Sequence, residues 1–141
     1  MADLVLVTAN KVEIVESLEQ TTLPTDEAVN PGQVARIASA TGKFTKGNAS
    51  SAGEAAIYGI ATGGVANVAG IPVTAIKKGV LDGFDLSGLD YGDPVYLSVT
   101  DGTLTDTAPG AYGEDILVGK VIPGTSTTLG TAYDKLLLVD L

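Results

Sequence analysis

The chain has 141 residues, 45% of them apolar, and a positive mean hydropathy, which suits one domain with a real core and argues against general disorder. Eight basic residues against seventeen acidic ones give a net charge of −9, a sign that repels nucleic-acid phosphates and anionic lipid headgroups, so neither nucleic acid nor a membrane is expected as a partner. With no cysteine and no histidine, disulfides, thiol chemistry and the usual zinc, copper and iron sites fall away, and no cofactor is expected. No apolar run approaches the roughly 20 residues of a membrane span, and Met1-Ala2-Asp3-Leu4 lacks the basic-then-apolar order of a secretory signal, so synthesis in a cytoplasm is expected.

Taken in order, the chain reads as strands and turns. Leu4–Val7 and Val12–Ile14 alternate as β segments, with Asn10-Lys11 between them as a turn or a bend in one extended arm. Glu16–Pro24 is polar and Thr-rich, and Asp26–Gly32 gathers Asp, Asn, Pro and Gly. Together they are expected to be a long loop that lets the first residues reach away, about 50 Å if fully extended. Residues 1–32 are therefore read as an N-terminal arm and loop, and 33–141 as the β domain. An ordinary first strand of the domain is the competing reading of Met1–Val15.

Gln33–Ala40 and Lys43–Thr45, joined at Thr41-Gly42, predict a hairpin. Lys46–Gly53 has too little apolar surface to repay ordering and is expected to be mobile. Strands follow at Ala55–Ala61, briefly at Val65–Val68, and at Ile71–Ile76, after which come Lys77-Lys78-Gly79 and Val80-Leu81. Asp85 could cap a single helical turn that buries Leu86 and Leu89. Tyr91-Gly92-Asp93-Pro94 is a turn by chemistry: Gly tolerates positive φ, Asp bonds its own backbone, and Pro suits a strand's first position. It launches a hairpin of Val95–Val99 with Thr103–Thr107 around Thr100-Asp101-Gly102. After an Ala108–Tyr112 loop, Ile116–Ile122 is a strand, Pro123–Gly130 a loop, and Tyr133–Leu141 the last strand. Short strands with turn signals between them argue an all-β barrel or sandwich.

Chemistry-bearing residues are few. Carboxylates pair at Asp82/Asp85, Asp90/Asp93, Asp101/Asp106 and Glu114/Asp115, always in predicted turns, where Asp serves backbone hydrogen bonds more readily than acid/base catalysis. No closed calcium loop appears, and Gly59, Gly63, Gly64 and Gly70 precede no Gly-Lys-Thr, so neither a calcium nor a phosphate site is spelled out. A carrier domain would need a lysine at its hairpin tip, and Thr100-Asp101-Gly102 has none. The expectation is a protein without catalytic activity; a hydrolase using the acid pairs is the remote alternative. Contact residues must then come from the apolar arm, from the basic pair Lys77-Lys78 at a strand end, and from aromatics near loops, Tyr112 and Tyr133, for which contact and core are equally open.

The order Tyr58-Gly59-Ile60-Ala61, Ala69-Gly70-Ile71-Pro72-Val73, Gly92-Asp93-Pro94-Val95-Tyr96-Leu97, Gly119-Lys120-Val121-Ile122 and Leu136–Leu141 resembles the capsid decoration, or cement, proteins of tailed bacteriophages. The resemblance covers Gly53–Leu141 and is weaker before it. It implies a small β-barrel of the β-tulip kind with an extended N-terminal arm, and a homotrimer on the outside of the virion's capsid, where it reinforces the shell. The partner would be the major capsid protein. Leu4, Val5, Leu6, Val7, Val12, Ile14, Lys77 and Lys78 become the candidate capsid contacts, and Tyr112 and Tyr133 the candidate subunit contacts. A tail or cell-surface adhesin module that binds through its loops is the alternative from another class.

Overall fold

The computed structural model describes residues 2–124 and 135–141. It is all-β, as the strand and turn pattern requires: β1 (Glu13–Pro24), β2 (Val34–Ile37), β3 (Phe44–Lys46), β4 (Ile57–Ala61), β5 (Pro72–Asp82), β6 (Pro94–Leu97), β7 (Leu104–Thr105), β8 (Leu117–Pro123) and β9 (Lys135–Asp140), with one 3-10 turn at Gly110–Tyr112. The strands form a single curled antiparallel sheet, a half-barrel, in the order β3-β2-β4-β5-β9-β8-β6-β7, with β1 added on β5.

The long strand β5 organises this sheet. Its partners show how: Ile76 faces Gln20 of β1 and Ile60 of β4, while Lys78 faces Glu19 of β1 and Asp140 of β9. One edge of β5 therefore belongs to β1 throughout, and the other passes from β4 to β9 at Lys77, which is how one strand serves both halves of the curl. Gly59, Gly79 and Gly119 mark close strand approaches, because a Cβ at each would fall on a neighbouring carbonyl oxygen, that of Ile76, Glu16 or Leu138 respectively.

The concave face is filled by Ile60, Ile76, Leu81, Leu97, Leu104 and Leu137, all at most 1% exposed. Each such side chain contributes roughly 1.5–3 kcal/mol on removal from water. A second cluster, around Phe44, Val29 and Val73, sits at the β2–β3 end. The hairpin tip of β6–β7 closes the curl against that end: Val34 donates its N–H to Gly102 O at 3.0 Å, and Gly102 donates to Gly47 O at 2.8 Å. Gly102 has φ +68, the left-handed turn position expected of Asp-Gly.

The β2–β3 and β6–β7 hairpins form where the sequence places them. Elsewhere the structure corrects the reading. Glu16–Pro24 is most of β1 rather than a loop, because pairing with β5 along its length, bulges included, compensates for its polar composition. Residues 47–49 are buried rather than mobile; Asn48 Nδ2 donates to Asp101 Oδ1 at 3.1 Å, and Ala49 donates its N–H to Ser98 O, so hydrogen bonds replace the missing apolar surface. Val65–Val68 is a turn at Ala66-Asn67 with irregular flanks, not a strand. Asp85 caps no helix; its Oδ1 accepts from the Ser87 N–H and hydroxyl in a side-chain turn, though Leu86 and Leu89 are buried as expected. Most of the Pro123–Gly130 loop and the start of the last strand at Tyr133 lie outside the described residues. No helix among the described residues is long and apolar enough to cross a membrane.

Candidate interaction surface

The N-terminal residues do not hang free. Leu4 donates its N–H to Leu104 O, Val7 to Gly83 O, and Asp85 donates back to Val5 O, each at 2.8 Å. Asp3 Oδ1 accepts from the Ser98 hydroxyl at 2.6 Å, and Asp3 Oδ2 from the Thr100 hydroxyl at 2.8 Å. Residues 2–4 thereby cover the edge of β7. Leu6 is bridged to Phe84 and Glu13 is paired with Asp82, so residues 5–7 and β1 run in one antiparallel line along Pro72–Asp85. Only residues 8–12 leave that line, turning at Asn10 with φ 59, a left-handed position that Asn tolerates.

Alternation along this line sorts the candidate contacts. Leu4, Leu6 and Val12 are partly buried against the main core cluster, so the stretch that carries them is packed on the domain rather than standing apart from its core. The extended arm exists, but it is docked on its own sheet, because half of its aliphatic side chains find the core there. Val5 and Val7 face outward, 62% and 74% exposed, and Ile14 is exposed at the start of β1.

The β1–β5 register shifts three times, twice by an extra residue on β1 and once, between Glu19 and Gln20, by Lys77 of β5 left without a partner in the ladder. Pairing steps from Ile14↔Leu81 to Glu16↔Val80, and from Ser17↔Gly79 to Glu19↔Lys78, so Val15 and Leu18 are extra residues, each in a β-bulge. Both are exposed, Leu18 at 70%. The candidate contacts read from the sequence did not include them; the available signal was three aliphatic residues inside the acidic run Glu13-Ile14-Val15-Glu16-Ser17-Leu18-Glu19. Among the described residues β1 pairs with β5 alone, leaving its second edge open.

The lysine pair is engaged within the chain. Lys77 Nζ lies 4.0 Å from Glu19 Oε1 and 5.9 Å from the centroid of the Tyr58 ring, whose hydroxyl donates to Thr21 Oγ1 at 2.9 Å. Lys78 Nζ donates to Asp140 Oδ1 at 2.9 Å, and that hydrogen bond, helped by the carboxylate's charge, raises the lysine's pKa. Both lysines thus lie beside carboxylates of their own chain, Lys78 in a hydrogen bond and Lys77 in a longer, exposed pair. Tyr112 stands 82% exposed on the 3-10 turn, suited to contact rather than core, and Tyr133 lies outside the described residues.

Three of the paired acids, Asp85, Asp93 and Asp115, accept a backbone amide within their own turn, and Asp106 accepts one from the N-terminal stretch. Asp93 Oδ2 accepts the Asp90 N–H at 2.8 Å, Asp115 Oδ1 the Gly110 N–H at 2.7 Å, and Asp106 Oδ1 the Ala2 N–H at 2.9 Å. The Ala2 amide holds the Asp106 carboxyl below its ordinary pKa, and the Ser87 hydroxyl and amide do the same for Asp85. Among the described residues no group of three or more Asp or Glu is arranged to hold a metal ion. No family model, curated protein or solved structure matches the chain.

Proposed function

We propose that this chain is a structural protein of a tailed-phage virion, made in the host cytoplasm, that binds the outside of the major capsid protein shell as a homotrimer and stabilises it. One observation carries the reading: an acidic all-β domain presents a twelve-residue margin strand, β1, with one edge open and with exposed Ile14, Val15 and Leu18 on it. Exposed aliphatic side chains of this kind, continued by Val5 and Val7, mark a contact surface rather than a solvated face. The ordered motifs from Tyr58 to Leu141 add the resemblance to decoration proteins, and the exposure of Tyr112 supports its reading as a subunit contact.

The test is to mix the purified protein with expanded capsids assembled from the major capsid protein encoded in the same genome. Co-sedimentation at saturating, fixed stoichiometry, with a raised capsid melting temperature, is the expected result. A protein that leaves such capsids unbound and their melting unchanged contradicts the proposal.

A further inference from the structure

We propose that the Glu13–Gln20 half of β1 receives a cationic, aliphatic segment of the capsid protein through side chains, and does not act as a template for an added strand; this rests on the capsid-binding reading above. An open edge ordinarily invites strand addition, which needs regularly spaced outward N–H and C=O groups. Here two bulges, at Val15 and Leu18, interrupt that spacing within four residues, a device that natural sheets use to blunt an edge. The same bulges present the two extra residues as exposed aliphatic side chains. The edge is closed to backbone pairing and open to side-chain contact.

Charge selects the occupant. Glu13, Glu16 and Glu19 bracket the aliphatic residues, and the cations near them are weakly engaged: Lys11 Nζ is 3.9 Å from Glu13 and Lys77 Nζ 4.0 Å from Glu19, both exposed pairs of little worth. Glu16 has no ion pair among the described residues. A second copy docking here by two-fold symmetry would bring six carboxylates together on a molecule of net charge −9, and like charges placed opposite one another are destabilising. An aliphatic segment carrying Lys or Arg meets the exposed side chains, Glu16, and the loosely paired Glu13 and Glu19, and its attraction adds to the rate of encounter.

The experiment measures binding to those same expanded capsids for the wild type, the triple variant Glu13→Gln/Glu16→Gln/Glu19→Gln, and Leu18→Ser, each from about 50 to about 500 mM salt. All four positions are exposed, so each variant should keep the wild-type melting temperature, which is checked first. Expected are wild-type affinity that falls with salt, a triple variant at least about tenfold weaker with a nearly flat salt response, and Leu18→Ser about tenfold weaker with the slope retained. Wild-type binding matched by the triple variant, or insensitive to salt, overturns this inference while leaving the capsid reading intact. Absence of wild-type binding overturns both.

Discussion

At the scale of single residues, what an acid contributes to folding depends on the donor that it reaches, as Asp90 and Asp93 show within one turn. Asp93 holds the Asp90 N–H at the turn that launches β6, whereas the Asp90 side chain is exposed and holds no turn amide. Asp93→Ala should therefore cost about 1 kcal/mol in denaturant unfolding, and Asp90→Asn less than about 0.5 kcal/mol. Glu27 gives a pH-dependent counterpart. Burial pushes its carboxyl up, but the Thr45 hydroxyl, the Lys46 N–H and the Lys46 charge together outweigh this and hold its pKa below the ordinary value. A carboxyl lowered in the folded state binds its proton more readily when unfolded. Its stabilisation is thus complete above the unfolded pKa and is lost as pH falls through the folded one. Glu27→Gln should remove stability at neutral pH and flatten the acid limb of the unfolding curve below about pH 5; an unchanged acid limb would show that Glu27 is not linked to folding. Turn acids were legible in the sequence because Asp beside Gly and Pro has a local purpose. The Glu27–Thr45–Lys46 contact was not, since nothing local joins residues 18 or more apart.

At the scale of elements, legibility followed burial. The β2–β3 and β6–β7 hairpins could be read because one face of each is buried and its turn residues are specific. β1 could not, because its first eight residues are exposed on both faces, so no alternation is imposed on them and only the backbone ladder to β5 makes them a strand. The bulged contact residues Val15 and Leu18 were hidden for the same reason. Where burial does act on this margin, it acts on alternate residues, which yields a sharp contrast. Leu4→Ala and Leu6→Ala should each cost about 1–2 kcal/mol, below the usual range for fully buried leucines because both are half-buried. Val5→Ala and Val7→Ala should stay within about 0.5 kcal/mol in urea unfolding. Removing residues 2–7 altogether uncovers the β7 edge and the Phe84 side of the core, so the truncated chain should melt lower or aggregate. Equal costs at all four positions, or a truncation without effect, would show the segment to be undocked in solution.

At the scale of the whole molecule, the sheet has two ends and one margin, and they are treated differently. The β3 end is bridged by Thr25 and the β7 end by Asp3, while β1 keeps its outer edge open along a run that is acidic, bulged and aliphatic. The uncovered third edge is where we propose the contact surface, and the proposed capsid role rests on that asymmetry together with the resemblance carried by the order of motifs. The most direct measurement is a cryo-electron microscopy reconstruction of expanded capsids saturated with the protein. The account predicts density on the outer surface in three-fold clusters, with the β1 margin and Leu18 turned toward the shell and Tyr112 toward a neighbouring copy. Density in which β1 faces solvent while another part of the sheet meets the capsid would contradict it.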